Sequence, residues 1–156
     1  LLQNTELKIW SNEQTTTPNS FLPSDAKPLT SEFPESCSTG VFGLPLYSIL
    51  KNSNVVFNKH AEICNGRMGN MRLFETTGVG TCLLTDTGSN LKDLFTADKE
   101  VVTYNSEDEL FEKLNYLLNN DSVRKEIGQA GQKRTLKDHT LKVRCTQISE
   151  TLHKLI

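Results

Sequence analysis

The stretch Asn70-Met-Arg-Leu-Phe-Glu75-Thr-Thr-Gly78-Val-Gly80-Thr-Cys-Leu-Leu-Thr-Asp86-Thr-Gly88 reads as a helix, a glycine turn and a buried strand that ends in a polar tip. On a helical wheel Met71, Phe74, Thr77 and Gly78 share one side, the spacing of a stripe packed on a sheet. Arg72 and Thr76 face away, and Glu75 sits on the border. Gly78 and Gly80 permit the helix to end tightly, and Thr81-Cys82-Leu83-Leu84 is a short apolar run of the kind buried inside a parallel sheet. Thr85 and Asp86 then fall at the strand's carboxyl end, where open α/β sheets place their ligands.

Upstream of this unit, Val55-Val-Phe57 predicts a buried strand, and Gly43 to Leu50 a helix that tolerates Pro45 in its first turn and stops at Asn52-Ser53-Asn54. The segment from Asn58 to Gly69 joins strand to helix and puts Asn58, His60 and Arg67 near the same edge as Asp86. Residues 11–38 are rich in Ser, Thr and Asn and carry Pro18, Pro23, Pro28 and Pro34, which predicts a long loop after a strand at Glu6 to Trp10.

Downstream, Asn90 to Phe95 fits a single helical turn and Glu100 to Tyr104 a strand of alternating character. Ser106-Glu-Asp-Glu109 is a capping box that opens a helix with Leu110, Phe111, Leu114, Leu117 and Leu118 on one stripe. A further helix starts at Asp121 or Ser122, and a last one runs from about Thr140 to Ile156 with Val143, Ile148, Leu152 and Leu155. Strands alternating with helices predict an α/β fold with a Rossmann-like parallel sheet and helices on both faces.

At 156 residues the chain is one domain's worth. A first residue of Leu, followed almost at once by a strand, makes it look like the carboxyl-terminal piece of something longer. Seventeen basic against 19 acidic residues, net -2, give no electrostatic case for nucleic acid or an anionic membrane. No apolar run approaches the ~20 residues of a membrane span. Cys37, Cys64, Cys82 and Cys145 are scattered without a C-x-x-C pair, which points to reduced thiols and a cytoplasmic protein.

The helix start near Gly69-Asn70 would offer unpaired N–H groups and a positive dipole end to a phosphate. Glu75 lies ~7.5 Å further along the axis, but side chains lean back towards the helix start. Its carboxylate can therefore reach that mouth and accept hydrogen bonds from neighbouring sugar hydroxyls. By spacing alone, a solvated helix glutamate fits equally well. His60 and Cys64, four apart and without a second pair, are a weak zinc signal, and no metal is expected. His139 belongs to the junction of the last two helices, and Lys133, Arg134, Lys137, Lys142 and Arg144 read as a solvated helix face.

The blocks from Asn70 to Asp86, Asn90 to Phe95, Lys99 to Tyr104 and Ala130 to Thr140, in that order, resemble the carboxyl-terminal domain of bacterial group 1 glycosyltransferases, and more narrowly the spore-maturation-type branch. The resemblance runs from about Phe42 to the end and leaves residues 11–38 out. It implies a two-domain enzyme with Rossmann-like halves facing across a cleft, residues 1–156 being the donor-binding half and an amino-terminal Rossmann-like domain supplying the acceptor side. It also implies a nucleotide-sugar donor as substrate, no cofactor and no metal.

In that family a glutamate matched by Glu75 bonds the ribose, and the preceding helix start meets the diphosphate. Another glutamate, common eight positions earlier, is Arg67 here. An arginine beside a diphosphate would neutralise leaving-group charge. The candidate donor-binding residues are Glu75, Asn70, Arg72, Arg67, Asn58, His60, Thr85 and Asp86, and no catalytic residue is identified. A non-catalytic nucleotide- or sugar-binding module is the alternative, favoured by Arg67. A nucleotide-sugar epimerase would need an acid and a base that this stretch does not display.

Overall fold

The computed structural model describes residues 6–11, 27–60 and 64–155. They fall into two compact units, within Leu1–Leu46 and Tyr47–Ile156, where length alone suggests one domain. In the first unit β1 (Ile9–Ser11) pairs in parallel with β2 (Cys37–Thr39), Ile9 opposite Cys37. Before β2 come α1 (Leu29–Glu32) and a 3-10 turn, Pro34–Ser36. Within the expected loop over 11–38, the described residues from Leu29 onward therefore form regular structure. Its later prolines explain how: Pro28 is the N-cap of α1 and Pro34 opens the 3-10 turn, positions where a missing N–H costs nothing. Pro18 and Pro23 lie outside the described residues.

The elements that follow are α2 (Leu44–Asn52), β3 (Val55–Asn58), α3 (Met71–Gly78), β4 (Cys82–Asp86), α4 (Leu91–Leu94), β5 (Val102–Tyr104), α5 (Glu107–Asn119), α6 (Asp121–Asp138) and α7 (Leu141–His153). The three strands of the second unit form a parallel sheet in the order β3-β4-β5, with Leu84 opposite Phe57 on one side and Val102 on the other. Along central β4 the consecutive residues Cys82, Leu83, Leu84 and Thr85 are all buried. Because successive side chains point to opposite faces, both faces of the sheet are covered. Leu83 joins Met68, Leu73, Leu91, Phe95 and Val101 in the main apolar cluster.

Three expectations need correcting. The buried stripe of α3 is Leu73, Thr76 and Thr77, spaced i, i+3, i+4, while Met71 is 73% exposed. The predicted wheel was therefore turned the wrong way at Thr76 and Met71. Strand β3 is the edge of its sheet among the described residues, so Phe57 is 38% exposed instead of buried. Strand β5 does not alternate: Val101, Val102, Thr103 and Tyr104 are all buried.

Helix α6 lies against the amino ends of the strands. A Cβ on Gly128 would sit 2.4 Å from the carbonyl oxygen of Gly80, just before β4, and one on Gly131 would sit 2.4 Å from that of Glu100, just before β5. Only glycine allows such an approach. Beside them the Thr77 and Thr135 hydroxyls meet at 2.6 Å, and Gln132 Nε2 donates to Gly78 O at the end of α3 (3.0 Å). This packing covers the amino ends of the strands, and their carboxyl ends lie opposite, at Asn58, Asp86 and Tyr104.

Helix α5 is capped by Ser106, whose Oγ accepts from Glu109 N (3.2 Å). The reciprocal bond differs from a standard capping box: Glu109 accepts from Asn105 N and Nδ2, and pairs with Lys113. Those bonds, that from Lys113 foremost, lower the Glu109 carboxyl to about 2. On α5 Leu110 and Leu117 are buried, but Phe111 and Leu118 are more than a third exposed. Helix α7 has no buried residue and turns Leu141, Ile148 and Leu152 to solvent. No helix among the described residues is long and apolar enough to cross a membrane.

Candidate functional site

Sequence-distant polar side chains meet at the carboxyl edge of the sheet. Asn58 ends β3, Thr85 and Asp86 end β4, and Asn70 is the N-cap of α3, accepting from Leu73 N through Oδ1 (3.2 Å). The two asparagine amides pair face to face: Asn70 Nδ2 donates to Asn58 Oδ1 (2.9 Å) and Asn58 Nδ2 to Asn70 Oδ1 (3.4 Å). Asn58 Nδ2 also donates to Thr85 Oγ1 (3.0 Å), and the Thr85 hydroxyl donates to Asp86 Oδ1 (3.2 Å). Asn58 and Thr85 are buried, so each of these bonds offsets a desolvation cost that an unpaired amide or hydroxyl would otherwise carry.

His60 enters from the loop after β3. Its backbone N–H donates to both oxygens of Asp86 (3.1 and 3.0 Å), and its Nδ1 lies 2.7 Å from Asp86 Oδ1. Its Nε2 receives the N–H of Gly69 (3.3 Å), the residue before the α3 cap. A backbone amide can only donate, so Nε2 is bare and Nδ1 carries the hydrogen that faces the carboxylate. Both ring nitrogens are thus occupied, which leaves His60 no lone pair for a metal alongside Cys64. No three His, Cys, Asp or Glu among the described residues gather into a metal-holding group.

Residues that sequence reasoning passed over hold the loops around this network. Asn90 Oδ1 accepts from Met68 N (2.7 Å) and Asn90 Nδ2 donates to Met68 O (2.9 Å), tying the loop before α3 to the loop after β4. Gly88 is required at the crossing, since a Cβ there would lie 2.6 Å from Met68 Cγ and 2.8 Å from Gly66 O. Tyr104 donates its hydroxyl to Asn58 O (3.4 Å), and burial, with the charge of Asp86, pushes the phenol up to about 12. The only sequence signal was the Gly and Asn content of Asp86 to Asn90.

The remaining candidates stand apart from the network. Glu75 Oε2 lies 3.2 Å from Arg72 Nη1, an ionic contact without hydrogen-bond alignment, and the Glu75 side chain is only 13% exposed. Arg67 is exposed; its backbone N–H donates to Cys64 O (3.0 Å), and its side chain meets no partner among the described residues. At the start of α3 the N–H groups of Asn70, Met71 and Arg72 meet no acceptor among the described residues, whereas those of Met68, Gly69 and Leu73 are taken. Three unpaired donors at a positive helix end can bind an anion. His139 has a structural place: Nε2 bonds Leu94 O, Nδ1 accepts from Arg144, and the ring packs on Phe74 and Phe95.

The chain matches the sequence model of the family described as glycosyl transferase-like over residues 10–150. That match takes in residues 11–38, which the sequence reading left outside the resemblance. No curated protein matches the chain. Among solved structures, sucrose-phosphate synthase from Thermosynechococcus elongatus is similar in fold, with a TM-score of 0.64 and 12% identity over 81% of this chain and 32% of that one. The chain thus spans about a third of that protein's length, and at this identity the likeness bears on the fold alone: an α/β, Rossmann-like arrangement of the two-domain glycosyltransferase type.

Proposed function

Since the chain belongs to the glycosyl transferase-like family, we propose that it is the donor-binding half of a group 1 glycosyltransferase of the spore-maturation type, acting on a nucleotide-sugar. The observation that carries the reading is the start of α3: three N–H groups without an acceptor among the described residues, at the carboxyl edge of a parallel sheet, with a carboxylate one turn further on. The N–H groups and the helix dipole stabilise the diphosphate as negative charge grows on it during sugar transfer. The Arg67 side chain, exposed and without a partner among the described residues, is available to share that charge. Glu75 accepts from the two ribose hydroxyls. Its low exposure and its pairing with Arg72 support a held carboxylate over a solvated one.

In this reading a second Rossmann-like half supplies the acceptor side of the cleft, and the apolar residues that α7 presents to solvent are available to it. The protein works in the cytoplasm, with no nucleic acid among its partners. A cleft needs both walls to exclude water and hold the acceptor. The 156-residue chain alone is therefore expected to bind a nucleoside diphosphate weakly, if at all, and to transfer no sugar, and measurable transfer by the purified chain would contradict this.

A non-catalytic nucleotide-sugar-binding module is the second reading, favoured by Arg67 standing where the wider family often has glutamate. Product analysis after incubating the longer protein with a panel of nucleotide-sugars separates the two. Release of nucleoside diphosphate with transfer or hydrolysis of the sugar supports the enzyme, and binding without turnover supports the module.

A further inference from the structure

Two lines of hydrogen bonds leave the start of α3 and converge on one atom. One runs from Asn70 through Asn58 and Thr85, the other from Gly69 through His60, and both end at Asp86 Oδ1. Along each line an unbroken run of donors points towards the carboxylate, with Asn58 Nδ2 also returning a longer bond to Asn70 Oδ1 (3.4 Å). The direction is forced at the far ends, because the Gly69 amide can only donate and the ionised Asp86 can only accept. The ring between them has one tautomer that serves both, with hydrogen on Nδ1 and a lone pair on Nε2.

The loop does not need this second line merely to stay in place. Asn90 already ties Met68 at both its N–H and its carbonyl, and Ser89 N donates to Gly66 O (2.9 Å). What His60 adds is a hold on the Gly69 amide, the peptide immediately before the three unpaired donors of Asn70, Met71 and Arg72. We propose that Asp86 and His60 are positioning residues: Asp86 selects the Nδ1–H tautomer of His60, which holds Gly69 and so aims the free N–H groups of α3 at a diphosphate. The inference rests on the donor-binding reading above and adds to it. It also gives His60 and Asp86 a role that needs no contact with the ligand.

The test uses the 156-residue chain in solution and inorganic pyrophosphate as the probe. A proton–nitrogen correlation spectrum of the imidazoles reports the tautomer of His60, and a pyrophosphate titration followed by the amide signals of Asn70, Met71 and Arg72 reports binding. The wild type is expected to show hydrogen on Nδ1 and saturable shifts at those amides. Asp86→Asn replaces one acceptor oxygen by a donor, and is expected to move the ring hydrogen to Nε2 and to shift the Gly69 amide.

His60→Asn keeps a donor for Asp86 in place of Nδ1 but removes the acceptor for Gly69, so the test stands even if Asp86→Asn fails to fold. Its pyrophosphate dissociation constant is expected to rise roughly fivefold or more, the scale of one lost hydrogen bond, with little change in Tm. A wild-type His60 with hydrogen on Nε2, or an unchanged dissociation constant in His60→Asn, overturns the positioning role and leaves the donor-binding reading standing. Absence of saturable shifts in the wild type overturns the positioning role, whereas the donor-binding reading, which expects little binding by the chain alone, is tested by product analysis of the proposed two-domain protein.

Discussion

The two ends of the β3-β4-β5 sheet are closed by opposite chemistry. At the amino end α6 presses glycine against backbone, Gly128 on Gly80 and Gly131 on Glu100, with no room for a methyl group. At the carboxyl end the side chains are Asn58, Thr85, Asp86, His60 and Asn70, joined by hydrogen bonds, with unpaired amides at their margin. Close apolar packing transmits strain and tolerates little change. A satisfied polar network holds donors in fixed directions at no gain in apolar burial. On the proposed reading the contrast assigns stability to one end and recognition to the other, and substitutions can separate the two.

The largest effect is expected at the shared centre. Leu84 is fully buried in β4, and Leu84→Ala should cost ~2–5 kcal/mol in denaturant unfolding, the range for a buried leucine. A cost well under that range would mean that the sheet is not the core of the unit. At the amino end Gly131→Ala puts its methyl group into the Glu100 carbonyl and should cost ~1–3 kcal/mol by overpacking. The amide signals of Asn70 to Arg72 should barely move. If they shifted as much as those of Gly80 and Glu100, the two ends would be coupled and the division of labour would fail.

Much of this plan was legible before any coordinates. Strand β4 announces itself as an apolar run after glycines and α5 by its cap and period, so the alternation of strands and helices followed. The glycine contacts of α6 were not legible, because Gly128 and Gly131 leave no mark on a hydrophobicity pattern. Helix α3 misled the wheel because, beside the expected Thr77, its buried positions are Leu73 and the polar Thr76, while Met71 is exposed. Strand β2 is three residues long and follows a proline-rich stretch, where no alternation can show. At the site, the edge residues Asn58, His60 and Asp86 were foreseen together, but not that His60 and Asp86, 26 residues apart, would bind each other. Pairings at that separation depend on the register of β3 and β4 and leave no local trace.

The smallest expected effect concerns pH and lies in the packing beneath the helices. Burial lowers the pKa of His139, which holds Leu94 O and Arg144 in its neutral form. A base whose folded pKa lies below its unfolded value of ~6.5 stabilises the fold fully above that value. That stability is lost as pH falls from ~6.5 towards the depressed folded pKa. Thermal unfolding between pH 8 and 5 should therefore show Tm dropping on the acid side, with a shallower slope in His139→Gln; equal slopes would remove His139 as the cause.

The claim that the carboxyl end recognises a nucleotide-sugar turns most directly on Glu75. Calorimetry of nucleoside diphosphates with the proposed two-domain protein, wild type against Glu75→Gln, measures it, with thermal unfolding alongside. Exchanging an anionic acceptor for a neutral amide of the same size should weaken binding by ~1–3 kcal/mol, the scale of hydrogen bonds to a charged group, while Tm changes little. Equal affinity in the two proteins would contradict the account and return Glu75 to the role of Arg72's partner on the helix.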